Sequence, residues 1–313
     1  MEPSEVHALY LLGAGTPTPT KSRFGTAYVL QIGRDFLLFD CGPATTQKLV
    51  RADLWPTQIE YLFLTHHHFD HNADLPCFLL CRWDQSTGQE RVLQVFGPPP
   101  TCDIIRKLVG PDGAYADDWK ARVGAPVSQS VHTNRGGSLP RPEPRFEVKE
   151  VGPGEILRNE RWSVAAAQVH HVEPWLQSLA YRVDTDRGSV VFAGDTGPCA
   201  RLDDLAQGAD VVVANCWNHQ KTMDDDGEAP GQTGTLDAAR FARDSGADVL
   251  VLTHAGPSLC RPGSRERAIR DIAAVFEGDV VFGEEGMRLG VWSHRPNLGL
   301  PGRCRSDPSA VIE

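Results

Sequence analysis

The stretch Leu64-Thr65-His66-His67-His68-Phe69-Asp70-His71 holds a dense set of metal-ligand side chains. Within it, His66, His68, Asp70 and His71 form the pattern His-x-His-x-Asp-His. Neutral imidazoles with a carboxylate are the donors that a borderline divalent ion selects, zinc first, with manganese or iron as alternatives. Alternation along an extended chain sends His66 and His68 to one side. The adjacent Asp70-His71 pair can turn to a second point, an arrangement that suits two ions sharing a bridging water or hydroxide. Each ion wants about four to six ligands, so further donors are needed. The sequence offers them at His170-His171, at Asp195 in Gly194-Asp195-Thr196-Gly197, and at His254 after Thr253. Two divalent ions would lower the pKa of a bridging water toward neutrality and polarise the substrate oxygen. Asp70 is also a candidate to orient that water or accept its proton. His219 is a candidate acid for the leaving group, an ordinary loop histidine being the alternative. No Gly-x-Ser-x-Gly is present, so activated water is the nucleophile in view.

The elements that position these residues can be read from apolar runs. Ile59 to Leu64 is apolar and rich in aromatic and branched residues, so the ligand stretch begins where a buried strand ends. That is where α/β sheets place their ligand sites. The same sequence of events recurs down the chain. Phe36 to Phe39 leads to Asp40, Trp162 to Val169 to His170-His171, Ser189 to Ala193 to Asp195, and Val249 to Thr253 to His254. A carboxylate at Asp40 would be costly at the end of an apolar strand without a partner, so it is expected to accept a hydrogen bond from a ligating histidine. Helices are expected from Asp74 to Leu80, Thr101 to Val109, Leu236 to Ser245 and Arg265 to Phe276. Residues 110–145 carry little pattern and read as a long, proline-stiffened excursion. Its Arg135, Arg141 and Arg145 read as a solvated face or as partners for an anion. Trp175 and Trp217 could line an aromatic subsite or belong to the core.

Size and composition bound the answer. The 313 residues are 41% hydrophobic, enough for a sizeable core. We expect a single domain over 1–295, made of two comparable halves at about 8–150 and 151–295. A flexible tail over 296–313 is expected from its proline and glycine content. The opening Met1-Glu2-Pro3-Ser4-Glu5 has no basic n-region, and no apolar run is long enough to span a bilayer, so a cytoplasmic protein without membrane contact is expected. The 8 cysteines show no Cys-x-x-Cys spacing and read as free thiols. A net charge of −10 argues against a partner as long and anionic as tRNA or DNA.

Taken in order, His66-x-His68-x-Asp70-His71, His171, Gly194-Asp195-Thr196 and Thr253-His254 resemble the metallo-β-lactamase fold superfamily of binuclear metal hydrolases. Leu12-Gly13-Ala14-Gly15-Thr16-Pro17 and Phe39-Asp40-Cys41-Gly42 resemble its ribonuclease Z, arylsulfatase and cyclic-nucleotide phosphodiesterase branch. The resemblance implies an α/β fold, a four-layer αββα sandwich of two mixed sheets with outer helices. It also implies that His66, His68 and His171 hold one ion, that Asp70, His71 and His254 hold the other, and that Asp195 bridges them. His171 is preferred to His170 for its place before the Leu179-Ala180-Tyr181 strand. A homodimer is a further expectation from the family.

The chain departs from ribonuclease Z enzymes in two places. They carry a long tRNA-clamping arm between the third and fourth motifs, whereas His171 and Asp195 are only 24 positions apart here. They also carry a His-Glu-Ala-Thr stretch where this chain reads Ala214-Asn215-Cys216-Trp217. The expected activity is therefore hydrolysis of a small-molecule ester, a phosphodiester or an aryl sulfate. A ribonuclease Z-like RNA endonuclease, a di-iron redox protein and a lactone or amide hydrolase are the alternatives.

Overall fold

The computed structural model describes residues 6–88 and 91–292. The first half of the chain supplies β1 (His7–Ala14), β2 (Thr26–Ile32), β3 (Asp35–Phe39), α1 (Thr45–Arg51), β4 (Tyr61–Phe63), α2 (Phe69–Asn72) and α3 (Leu75–Gln85). It continues with β5 (Leu93–Gly97), α4 (Thr101–Val109), α5 (Ala116–Gly124), α6 (Pro126–Asn134) and β6 (Phe146–Glu150). The second half supplies β7 (Gly154–Arg158), β8 (Trp162–Val169), β9 (Ser178–Thr185), β10 (Gly188–Phe192), α7 (Ala200–Ala206) and β11 (Val211–Asn215). Then follow α8 (Gln220–Asp226), α9 (Thr235–Ser245), β12 (Val249–Thr253), α10 (Ser264–Ala273), β13 (Asp279–Phe282) and β14 (Met287–Gly290).

These strands form two sheets, in the orders β14-β1-β2-β3-β4-β5-β6 and β13-β12-β11-β10-β9-β8-β7. Each sheet is antiparallel on one side and parallel on the other, the parallel runs being β3 to β6 and β10 to β13. Parallel strands need crossovers, and the helices that provide them cover the outer faces. Three apolar clusters then define four layers. Leu49, Leu75, Phe78, Leu79 and Ile105 pack α1, α3 and α4 onto the first sheet. Leu202, Ala238, Ala242, Ala268 and Ile272 pack α7, α9 and α10 onto the second. Between the sheets lie Leu30, Phe39, Phe63, Phe192, Tyr181 and Val213 among others. Phe39 stacks on Phe192 with centroids 3.9 Å apart and on Phe63 at 5.1 Å. Sandwiched aromatics with polar tips need partners. The Tyr181 hydroxyl donates to the Leu64 carbonyl at 2.8 Å, and Trp162 Nε1 donates to Asp35 at 2.8 Å. The αββα expectation is met.

Several local expectations change. Residues 110–145 are not a bare excursion, because they hold the helical pair α5 and α6. Asp117 and Asp118 lie in the first turn of α5 and Pro126 opens α6, both favourable at helix N-termini. Trp119 is buried beneath this pair. Arg141 is buried rather than a solvated face, donating to Asp84 at 2.8 Å, and Arg135 joins the same carboxylate at 3.0 Å. The division into halves is crossed by β14, which leaves the second half to pair with β1. Short strand β7 and helices α1, α7 and α8 carry too little apolar periodicity to be read in advance. The 296–313 tail lies outside the described residues. The seven described cysteines are free, and among the described residues no helix is long and apolar enough to cross a membrane.

Candidate metal centre

Because β3 to β5 and β10 to β12 each run parallel, their carboxyl ends gather along one edge of the sandwich. Asp40 stands just past β3 with a positive φ of 59°, a strained region for a non-glycine residue, and its N–H donates to the Phe63 carbonyl at 2.8 Å. Its carboxylate accepts from the Thr65 N–H at 2.7 Å, from the Thr65 hydroxyl, and from His71 Nδ1 at 2.7 Å. Gly42 explains how the ligand turn comes so close. A Cβ there would lie 2.2 Å from the Asp70 carbonyl oxygen and 2.7 Å from the Thr26 backbone.

The hydrogen-bond partners decide the tautomers. His71 donates its Nδ1 proton to Asp40, which leaves a lone pair on Nε2; that atom is buried and has no hydrogen-bond partner. His171 donates Nδ1 to the Gly231 carbonyl at 2.8 Å, so its Nε2 also carries a lone pair. His171 Nε2 lies 3.2 Å from His68 Nδ1, which in turn lies 3.0 Å from His66 Nε2. Three ring nitrogens at such distances cannot all satisfy one another with one proton, whereas a cation among them satisfies every lone pair. On the other side, His254 Nε2 lies 3.2 Å from Asp70 Oδ2 and 3.1 Å from Asp195 Oδ2. Asp195 Oδ2 also lies 3.6 Å from His71 Nε2 and 3.9 Å from His171 Nε2, so one carboxylate oxygen faces both groups. His66, His68 and His171 form one set that could hold an ion, and Asp70, His71 and His254 form another. The buried and unpartnered Asp70 Oδ1 and His71 Nε2 fit that use.

Electrostatics point the same way. Burial would raise the Asp195 carboxyl, but His254 and His71 outweigh it and hold it well below the usual carboxylate range. Burial likewise raises Asp70, and the hydrogen bond from His254 with the charge of His71 brings it down. Burial, then His71, pushes the His66 imidazolium well below its ordinary range. His71 is the exception. Burial pulls it down, yet Asp195 and Asp40 together drive it well above the ordinary histidine value, so the carboxylates favour a positive charge at this ring, which an ion on Nε2 would supply in place of a second proton. Five imidazoles and two carboxylates, all buried but for the half-buried His68 and His171, form in one place a centre built for positive charge.

Of the sequence candidates, the structure brings His66, His68, Asp70, His71, His171, Asp195 and His254 together. His170 turns out to solvent beside Glu173, while His171 turns in. His219 departs from expectation. It caps α8 with its ring toward α10, Nε2 on the Ser264 hydroxyl at 2.9 Å and Nδ1 3.8 Å from Asp271, and none of the seven cluster residues is among these contacts. Trp217 is held by its Nε1 on Glu228 at 2.8 Å, with its ring 6.1 Å from that of His254.

Residues 36–255 match the model of the Beta-lactamase superfamily domain. The chain belongs to that superfamily. Ribonuclease Z of Mycobacterium sp. (strain KMS) is 31% identical to it over 291 residues, covering 90% of this chain and 95% of the relative. The metallo-beta-lactamase fold protein YhfI from Bacillus subtilis superposes with a TM-score of 0.70 at 20% identity, covering 90% of this chain and 98% of that one. Human tRNase Z, short form, superposes with a TM-score of 0.66 at 21% identity, covering 91% and 99%. As a superfamily member, the chain is a metal-dependent hydrolase. Sequence reasoning missed two groups that serve this centre. Thr65 links Asp40 to His66 Nδ1 at 3.1 Å, and its only signal was its place between a strand and the first ligand. The Gly231 carbonyl, 60 positions from His171, left no signal at all.

Proposed function

We propose that this superfamily hydrolase is a phosphodiesterase that cleaves RNA, a ribonuclease Z-like endonuclease. The observation that carries the reading is the 31% identity to a protein named Ribonuclease Z across 90% of this chain and 95% of that one. Net charge of −10 argued the other way. Charge summed over a whole chain says little about the field at one edge, however, and RNA binding is decided by the local field. We assign one ion to His66, His68 and His171 and the other to Asp70, His71 and His254, with Asp195 reaching both and zinc as the first choice. Bound there, divalent ions supply Lewis acidity and a nucleophile from water at neutral pH. Asp40 holds the tautomer of His71, Gly231 holds that of His171, and Asp70 is the carboxylate we assign to orient the attacking water.

A second reading, a small phosphodiester as substrate, is favoured by one specific feature. The connection from β9 to β10 is a tight turn at Asp186-Arg187, so no arm extends between His171 and Asp195. The test is turnover by zinc- or manganese-loaded protein of a labelled tRNA precursor with a 3′ extension, beside bis-p-nitrophenyl phosphate and p-nitrophenyl sulfate. Endonucleolytic cleavage of the RNA, abolished in Asp195→Ala, is expected. Turnover of the small diester with intact RNA would replace the first reading by the second. Turnover of the sulfate alone would sink both.

A further inference from the structure

We infer that Trp175 and Phe69 form an aromatic rim at the mouth of the centre on which the nucleobase beside the scissile phosphate stacks. This rests on the phosphodiesterase reading and adds to it what the site recognises. Trp175 exposes 87% of its surface and Phe69 55%, in a protein whose other large aromatics mostly lie in the core. Both stand beside cluster residues. Phe69 is flanked in sequence by His68 and Asp70, on the single turn of α2. Trp175 follows His171 in a tight turn closed by its own N–H on the Val172 carbonyl at 3.1 Å. A turn of that kind keeps its first and fourth Cα within about 7 Å, so with one more residue step Trp175 Cα lies within roughly 11 Å of His171 Cα.

The turn is also anchored. Glu173 accepts the His171 N–H at 3.0 Å, and His171 is tied to Gly231 through its ring. The indole is therefore presented on a fixed base without any neighbour covering it. The two residues come from opposite halves of the chain, on the segments that carry His68 and His171, whose nitrogens meet at 3.2 Å. Exposed aromatics one position from His68 and Asp70 and four from His171 argue for a substrate group as the occupant. A flat, amphipathic ring that meets water when empty and stacks when full suits a nucleobase, because every base has a π-face.

The test uses two esters with the same leaving group, thymidine 5′-(p-nitrophenyl phosphate) and methyl p-nitrophenyl phosphate, which differ in carrying a nucleoside. In Trp175→Ala the rise in KM for the nucleoside ester is expected to exceed that for the methyl ester by roughly 5- to 150-fold, the range of base–aromatic stacking. Trp175→Phe should restore most of the difference, and Phe69→Ala should move it in the same direction. Equal changes for both esters, or none, would overturn the inference while leaving the phosphodiesterase reading standing. Should the wild type hydrolyse neither ester, a single nucleoside beside the phosphate gives no productive binding and the inference falls, whereas the phosphodiesterase reading falls only if the labelled RNA is left intact as well. Loss of a dimer in Trp175→Ala, measured by sedimentation, would make the rim a contact between copies and would also overturn it.

Discussion

Replacing Asp40 by Asn tests whether a residue outside the proposed ligand set controls one half of the centre. The carboxylate accepts from Thr65 N–H on Oδ1 at 2.7 Å and from His71 Nδ1 on Oδ2 at 2.7 Å, with the Thr65 hydroxyl within reach of both oxygens at 3.1 and 2.9 Å. Asn keeps the volume and one acceptor. If the carbonyl oxygen stays with Thr65, the amide NH₂ faces His71 Nδ1 and reverses the tautomer, placing the proton on Nε2 where the lone pair is needed. Loss of such a partner typically costs 10- to 100-fold in metal affinity, or about 1.4–2.7 kcal/mol. The loss should fall on the ion held by Asp70, His71 and His254. The ion on His66, His68 and His171 should be retained, since His171 takes its tautomer from Gly231. Competition against a chelator, with metal content measured at each step, would show a biphasic release in which only the weaker phase moves. Unchanged affinity at both sites would refute the tautomer argument. Equal loss at both would show that Asp40 supports the whole edge and not one ligand.

Three further outcomes are expected. Asp84→Asn should destabilise by about 3 kcal/mol at neutral pH, because it strands the buried guanidinium of Arg141. Burial raises the Asp84 carboxyl but hydrogen bonds from Arg141 and Arg135 outweigh it and lower it, so this stabilisation is complete above the unfolded value of about 3.9 and fades as pH falls through the lower folded one. Urea midpoints of wild type and variant should therefore converge in acid; a constant gap would refute the assignment. Phe39→Ala, which removes a fully buried ring stacked between Phe192 and Phe63, should cost about 3–5 kcal/mol in chemical denaturation, and a loss under 1 kcal/mol would contradict the packing. His219→Ala should leave kcat nearly unchanged, since its ring engages Ser264; loss of a general acid would lower it by about 10²–10⁴-fold, so a fall of that size would restore its catalytic role.

Much of the fold was legible because its signals are local. Buried strands such as β4, β11 and β12 are runs of aromatic and branched residues, and Gly246 with φ of 77° ends α9 where a left-handed residue is needed. The helices of residues 116–134 were not legible. Their apolar faces are thin and cover one side of a small satellite contact, so composition dominated by glycine and proline on either side outweighed periodicity. Arg141 looked solvent-facing for the same reason, since nothing nearby in sequence announces Asp84, 57 positions away, as its partner.

The candidate site divides along the same line. His66, His68, Asp70 and His71 sit within six positions, and a strand ending at Phe63 suffices to place them at a sheet edge. Ligand type, approximate number and the preference for a divalent cation follow from the sequence alone. Which nitrogen of each ring carries its proton, why His171 turns inward while His170 faces water, and why His219 points to Ser264 follow only from the folded chain. Those facts depend on carbonyls and carboxylates at Asp40, Gly231 and Asp271, brought alongside by two sheets closing on one core. A chain can specify which donors it owns through residues a few positions apart, but the direction of each lone pair is decided by partners that only packing delivers.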